Sequence, residues 1–142
     1  MKRTKYKFAR VCKGISYFAE VELTTEPETN EFSVGFDCVG DGFHSQGYIE
    51  EAPKIGYDDW KAGAKTGVEY AAKAAGITKC LVKVTAIRGL TSDTNPIIIA
   101  GASAFAFWQA VGFDAGLDLK SQIESKILDS WKCGKDKGQF LE

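Results

Sequence analysis

The stretch GLTSDTNPIIIAGASAFAFWQAVGF, from Gly89 to Phe113, decides the fold. A polar loop passes through a proline into a nearly unbroken run of apolar or small residues. Asn95 is a good helix N-cap, and Pro96 suits the first helical position, where its missing N–H costs nothing. We therefore predict a helix from 96 to about 112 that is apolar on nearly all sides and buried on most of them.

The same run is too short to be a membrane span. Positions 97–111 are mostly apolar but include Ser103 and Gln109, and a bilayer crossing needs about 20 consecutive apolar residues. The N-terminal segment MKRTKYKFAR is basic, but no apolar segment follows it, so it does not match a secretory signal. These features predict a cytoplasmic protein with no membrane partner.

Length and composition indicate one globular domain over 1–142. Of its 142 residues, 44% are hydrophobic and 26% are charged, which is enough to bury a sizeable core. We expect a folded core from about 5 to 133 and a polar tail over 134–142, whose final Leu-Glu is set aside as a cloning remnant. Cysteines at 12, 38, 80 and 133 form no close pair, which favours reduced buried thiols over zinc ligands, a redox dithiol or a disulfide framework.

Alternation of apolar and polar residues predicts several strands. Tyr17–Thr25 and Phe32–Val39 alternate and are separated by the turn sequence EPETN, so we predict that they form an antiparallel hairpin with an acidic outer surface. Cys80–Ile87 predicts a strand that is covered on most of both faces. Phe43–Glu51 is compatible with a short strand or a loop.

Two further segments have helical spacing. Asp58 or Asp59 can cap a helix that ends at Gly76, and its inward face is narrow and rich in alanine. A last helix is predicted from about Leu117 to Trp131. The order β-β-(β)-α-β-α, followed by a C-terminal helix, predicts an α+β fold, a two-layer sandwich of one sheet and one layer of helices.

Charge is distributed unevenly along the chain. Residues 1–19 contain six bases and no acid, whereas residues 20–59 contain eleven acids and one base. The simplest interpretation is a solvated sheet surface, but so strong a bias also suits docking to a basic partner. The residues predicted to form this acidic sheet face are Glu20, Glu22, Asp37 and Glu50.

No motif in the sequence indicates catalysis, a cofactor or a metal. His44 is the only histidine and lies in a glycine-rich loop, where a surface role is the usual one. GAKTG lacks the glycine that must precede the lysine of a phosphate loop. The loop before Pro96 carries hydroxyls at a helix N-terminus, but Asp93 would repel an anion, so turn formation and capping explain it. The basic N-terminal stretch is the one candidate for RNA contact.

Several pieces of the chain resemble, in order, domain IV of bacterial translation elongation factor G. YFAEVELTTEP is similar to that domain's first long strand, and GYDDWKAGAKTGVEYAAKAAG is similar to its first helix. CLVKVTAIRGLTSDTNPIIIAGASAFAFWQAVGF resembles its central strand, tip loop and second helix. The resemblance covers about two-thirds of the chain and implies the ribosomal protein S5 domain 2-like fold.

In that factor, domain IV follows a GTPase module and acts as a rigid finger whose tip loops reach the ribosomal decoding site. The resemblance therefore implies a partner-binding tip formed by Lys13, Gly14, Thr91, Ser92 and Asp93. This tip lacks the arginine and the histidine that the family carries, and the matched pieces include no GTPase module. We expect a stand-alone domain without translocation activity, since a shared fold does not carry function with it.

Three functions remain open at this point. The first is a non-catalytic interaction domain that binds a protein, the ribosome or RNA through its tip. The second is an immunity or antitoxin-type protein whose acidic face blocks a basic toxin or enzyme, with association accelerated by charge. The third is a small-molecule enzyme, because kinases share this fold, although the glycine-rich phosphate loop they need is missing here.

Overall fold

The computed structural model describes residues 2–27 and 30–133, and the predicted tail over 134–142 lies outside them. A mixed sheet forms one layer and helices form the other, so the predicted two-layer α+β sandwich is confirmed. The elements are β1 (Lys2–Cys12), β2 (Ile15–Pro27), β3 (Phe32–Phe36), β4 (Glu50–Glu51), α1 (Asp58–Ala75), β5 (Cys80–Gly89), α2 (Pro96–Val111) and α3 (Gly116–Cys133).

The strands lie in the order β1-β2-β5-β3, with β4 beside the C-terminal end of β5. β2 is antiparallel to both of its neighbours, β1 and β5, whereas β3 is parallel to β5 and α1 lies in the connection between them. The predicted hairpin between 17–25 and 32–39 is therefore wrong. The hairpin is formed by β1 and β2, which are joined by a two-residue turn at Lys13 and Gly14.

α1 and α2 are in close contact through small residues, as the alanine-rich pattern predicted. A Cβ added to Gly67 would lie 2.0 Å from the carbonyl oxygen of Ala100, and one added to Gly63 would lie 2.5 Å from that of Pro96. The indole N–H of Trp108 donates to the carbonyl of Ala71 at 2.9 Å. The two backbones thus approach more closely than larger side chains would allow.

The helix ends confirm some of the sequence signals and correct another. The Asn95 side chain accepts a hydrogen bond from the N–H of Ile98 at 2.9 Å, with Pro96 in the first turn of α2. Gly76 adopts the left-handed conformation that closes α1. The prediction that Asp58 or Asp59 caps α1 is wrong, because both lie inside its first turn and the N-cap is Tyr57, in a left-handed conformation with φ 58°.

α2 lies at the centre of the molecule. Its residues are buried on nearly every side, including Ser103, whose hydroxyl donates to the carbonyl of Ile99 at 2.7 Å. α3 covers α2 with Ile123 and Ile127, both fully buried, so the predicted last helix is also confirmed. Within the described residues, none of the helices has the length and apolar content that crossing a membrane requires.

Several connections meet at one end of the sandwich, which we call the tip end. It comprises the β1–β2 turn, the loop over 90–95, the segment over 37–57, the starts of α1 and α2 and the last turn of α3. The Asn95 amide donates to the hydroxyl of Ser130 at 2.9 Å, which ties the start of α2 to the end of α3. The tip end is therefore cross-linked by polar contacts between elements that are distant in sequence.

Candidate interaction surface at the tip end

The β1–β2 turn presents Lys13 and Gly14 to solvent. Both residues have positive φ, at 52° and 79°. Positive φ at both positions is required in the two-residue hairpin turn whose twist matches that of the flanking strands. Just below the turn, the Tyr17 hydroxyl donates to the carbonyl of Leu128 at 2.9 Å and holds β2 against α3. The turn is thus exposed to solvent, and the start of β2 beneath it is hydrogen-bonded to α3.

The loop after β5 is fastened to the same hairpin. The N–H of Phe18 donates to the carbonyl of Asp93 at 2.8 Å, and the Thr94 hydroxyl donates to the carbonyl of Phe18 at 2.6 Å. Thr91 and Ser92 are exposed. The structure therefore brings the two predicted tip segments, Lys13–Gly14 and the loop with Thr91, Ser92 and Asp93, to one end of the sheet.

A buried carboxylate organises the neighbouring backbone. Glu50 is only 5% exposed, and its two oxygens accept hydrogen bonds from the hydroxyls of Thr91 and Tyr57. The prediction that Glu50 lies on the exposed acidic sheet face is therefore wrong. Its side chain is buried inside the tip end, where hydrogen bonds from two hydroxyl donors offset the free-energy cost of removing the carboxylate from water.

Tyr57 is the second member of this arrangement. Burial, together with the hydrogen bond and the negative charge of Glu50, raises the pKa of Tyr57 to about 12, although the backbone N–H of Phe43 opposes the shift. The ring packs edge-on against Trp60, with centroids 4.9 Å apart. Tyr57 thus connects the segment over 37–57 with the first turn of α1.

The connection from β3 to α1 exposes an unusual number of large apolar side chains, which we call the apolar loop patch. They are Val39 (74% exposed), Phe43 (55%), Tyr48 (68%), Ile49 (52%) and Ile55 (86%). The backbone beneath them is held by hydrogen bonds from Gly40 to Ala52 (3.0 Å) and from Gly42 to Glu51 (2.9 Å). So many exposed apolar residues within one connection are typical of an interaction site.

The apolar loop patch was not predicted from the sequence. Phe43–Glu51 is compatible with a short strand or a loop, because the segment has no regular periodicity. The available signal was the number of aromatic and aliphatic residues in a glycine-rich connection, where polar residues are usual. His44 lies within this loop and is mostly exposed, 3.9 Å from Asp41.

The predicted acidic face does not form as a continuous surface. Glu20 pairs with Arg88 at 2.9 Å, and Arg88 also binds Glu51 at 3.0 Å. Glu22 accepts a hydrogen bond from the Thr85 hydroxyl at 2.8 Å. In the sheet register, Glu20 and Glu22 lie opposite Lys7 and Lys5 of β1.

Of the four residues predicted to form the acidic sheet face, only Asp37, which follows β3, is exposed. The outer face of the sheet thus mixes basic and acidic residues, because the basic N-terminal strand lies directly beside the acidic one.

Side chains that could ligate a metal are not gathered at one place in the part of the chain that the structure describes. No cluster of three or more His, Cys, Asp or Glu side chains suited to a metal is found over 2–27 and 30–133. The thiols of Cys38 and Cys80 are buried, and burial raises the pKa of both, which keeps them in the unreactive protonated form.

Comparison with known proteins identifies the fold but not a family. No protein-family model matches the chain, and no curated protein matches it. Among solved structures it is similar to a protein from Thermus thermophilus, with a TM-score of 0.61 and 15% sequence identity. The match covers 75% of this chain and 15% of that one, so this chain spans only a small part of the relative. At this identity the similarity shows a shared fold alone.

Proposed function

We propose that this protein is a non-catalytic interaction domain, similar in fold to domain IV of elongation factor G, that binds a protein or a ribosomal surface through its tip end. The apolar loop patch is the observation that carries the proposal. Exposed Phe43 and Tyr48 offer large contact areas at the same end of the sandwich as the polar projection at Lys13, and binding energy concentrates in such aromatic anchors.

The hydrogen bonds within the segment that carries the apolar loop patch support a binding role. Glu50 joins Thr91 and Tyr57, and within the segment that carries the patch the N–H groups of Gly40 and Gly42 donate to the carbonyls of Ala52 and Glu51. A surface that is already ordered loses little conformational entropy when it meets a partner. The apolar residues are therefore presented in a conformation suited to docking.

The resemblance to domain IV rests on the order of the matched segments and on the two-layer sandwich. The tip of this chain offers Lys13 and exposed Thr91 and Ser92, where the factor offers arginine and histidine. We propose that the apolar loop patch supplies the contacts at this end, so that the tip binds a partner without promoting ribosomal movement.

The test compares binding by the unmodified chain with binding by two surface variants. A tagged chain is assayed for co-sedimentation with ribosomes, and for capture of one stoichiometric protein from the source cell. Phe43→Ser combined with Tyr48→Ser should weaken binding about 10-fold or more, because it removes aromatic anchors. Leu117→Ser is the matched control, since Leu117 is 78% exposed at the start of α3, away from the tip end.

The outcomes separate the alternatives. Co-sedimentation with ribosomes that the Phe43/Tyr48 variant loses supports contact with the translation apparatus. Loss of a single captured protein supports a dedicated partner. If both variants bind as well as the unmodified chain, the tip end is not the binding surface and the proposal fails. A thermal-shift screen with nucleotides checks the enzyme hypothesis, because a ligand bound by the folded state raises the unfolding midpoint.

A further inference from the structure

The open edge of β1 is a second surface without an assigned role. β1 is the terminal strand of the sheet, with β2 on one side and no strand on the other among the described residues. It runs from Lys2 to Cys12 without interruption. A long unpaired edge presents a row of backbone donors and acceptors that can pair with another chain.

The hairpin turn determines which residues face this edge. Cys12 and Ile15 flank the two-residue turn, and such a turn closes on a hydrogen-bonded pair, after which bonded and non-bonded pairs alternate. The residues whose N–H and C=O groups point to the open edge are therefore Arg3, Lys5, Lys7, Ala9 and Val11.

The side chains of the same residues give the edge its charge. Arg3, Lys5 and Lys7 are exposed on the outer face, and none of them is within ion-pair distance of an acid in the described residues. Like charges directly opposite each other destabilise a strand pair, whereas opposite charges stabilise it. A second copy of β1 is thus a poor partner, and an acidic strand is a good one.

The inner side of the edge offers an apolar cavity. A depression of about 320 Å³ lies between β1, α2 and α3, and four aromatic residues line it together with Gln109, Lys120 and Glu124 of α3. Tyr6 and Phe105 have ring centroids 5.1 Å apart, and Trp108 and Phe113 continue the row at 6.0 Å. The Trp108 N–H is already bonded to Ala71, so the cavity suits an apolar side chain.

An ion pair limits the length of the groove beside β1. The Arg10 guanidinium binds the Glu124 carboxylate of α3 at 3.3 Å and stacks over the Phe8 ring at 5.0 Å. This bridge separates the aromatic cavity from the smaller depression under the β1–β2 turn. An added strand therefore has room beside positions 3–9.

We propose that the open edge of β1 binds an extended acidic peptide segment of a partner protein by strand addition. Acidic residues at alternate positions of the peptide face Arg3, Lys5 and Lys7. The apolar residue between two of them enters the aromatic cavity beside Tyr6. Backbone hydrogen bonds supply affinity and the alternating side chains supply specificity, as in other cases of strand addition.

The first experiment measures binding of a labelled peptide by fluorescence anisotropy. The probe is an eight-residue peptide of alternating glutamate and valine with one central phenylalanine, and its counterpart has lysine in place of glutamate. We expect the glutamate peptide alone to bind. Lys5→Glu combined with Lys7→Glu should weaken binding about 10-fold or more, whereas Lys83→Glu on β5 should change it little, because Lys83 lies on the outer face but not at the open edge.

The second experiment distinguishes strand addition from simple charge attraction. The glutamate peptide is N-methylated either on the residues whose N–H groups face β1 or on the intervening residues. Strand addition predicts that only the first pattern abolishes binding. Equal binding by both methylated forms, or equal binding by the Lys5/Lys7 variant and the unmodified chain, would overturn the proposal.

Other occupants of the edge are tested with the same probe. If a chain truncated after Cys133 binds the peptide and the full chain does not, then the tail over 134–142 is the occupant and the proposed partner is wrong. If analytical ultracentrifugation shows a dimer that the peptide disperses, then the edge pairs with a second copy instead. A full chain that is monomeric and binds the peptide supports the proposal.

Discussion

The hydroxyl of Tyr57 donates a hydrogen bond to the buried carboxylate of Glu50. Glu50 lies in the two-residue strand β4, and Tyr57 directly precedes α1. The Thr91 hydroxyl donates to the other carboxylate oxygen. One acidic side chain thus fixes three connections of the tip end to one another: the end of the β3–β4 loop, the entry to α1 and the loop after β5.

Removing the Tyr57 hydroxyl should destabilise the fold. In Tyr57→Phe the Glu50 carboxylate keeps its burial but loses one donor, and leaving such a group undersatisfied costs about 1–3 kcal/mol. Urea unfolding should show a lower midpoint with an unchanged slope. Tyr48→Phe is the control, because Tyr48 is 68% exposed. Equal midpoints for Tyr57→Phe and the unmodified chain would contradict a structural role for the contact.

Stability should also decline at high pH through the same residue. The pKa of Tyr57 is raised from 10.0 to about 12 in the folded chain, so the folded state holds this proton more tightly than the unfolded state does. The stabilisation is complete below pH 10 and is lost as the pH rises towards 12. Burial raises the pKa of Tyr6, Tyr17 and Tyr70 too, so the measurement is a difference: Tyr57→Phe should lose less stability over this interval than the unmodified chain.

Local sequence signals predicted the helices and most of their ends. The apolar run of α2, its Asn95 and Pro96 start, and the left-handed glycine after α1 are all present. Each depends on neighbouring residues in sequence, through capping, backbone conformation or helical spacing. Local signals of this kind can be read without knowing the partner elements.

Strand pairing could not be predicted in the same way. β2 and β3 are close in sequence, and a turn motif lies between them, yet β5 is inserted between them in the sheet. The first strand was missed because the basic residues on its outer face concealed the inward Thr4, Tyr6 and Phe8. Without β1 in place, Glu20 and Glu22 had no visible basic neighbours, and an acidic surface was predicted.

The Asn95 side chain should stabilise the fold through two separable contacts. Its oxygen caps α2 and its amide donates to Ser130 at the end of α3. Loss of an N-cap costs about 0.5–2 kcal/mol. Asn95→Ala should therefore be the most destabilising change, since it removes both contacts. Asn95→Asp, which keeps the cap but not the amide donor, should lie between it and the unmodified chain. If Asn95→Asp and Asn95→Ala unfold at the same urea concentration, the cap contributes nothing.

The close contact between α1 and α2 should tolerate no side chain at Gly67. A Cβ there would lie 2.0 Å from the Ala100 carbonyl oxygen and 2.7 Å from its carbon, and backbone on a fully packed central helix cannot move aside at low cost. Overpacking of this kind costs about 1–3 kcal/mol or more, so Gly67→Ala should lower the urea midpoint markedly. Gly35→Ala is the matched control, because a Cβ at Gly35 meets nothing within 4 Å and the change should be close to neutral. A Gly67→Ala protein as stable as Gly35→Ala would mean that the helices lie further apart in solution than the structure places them.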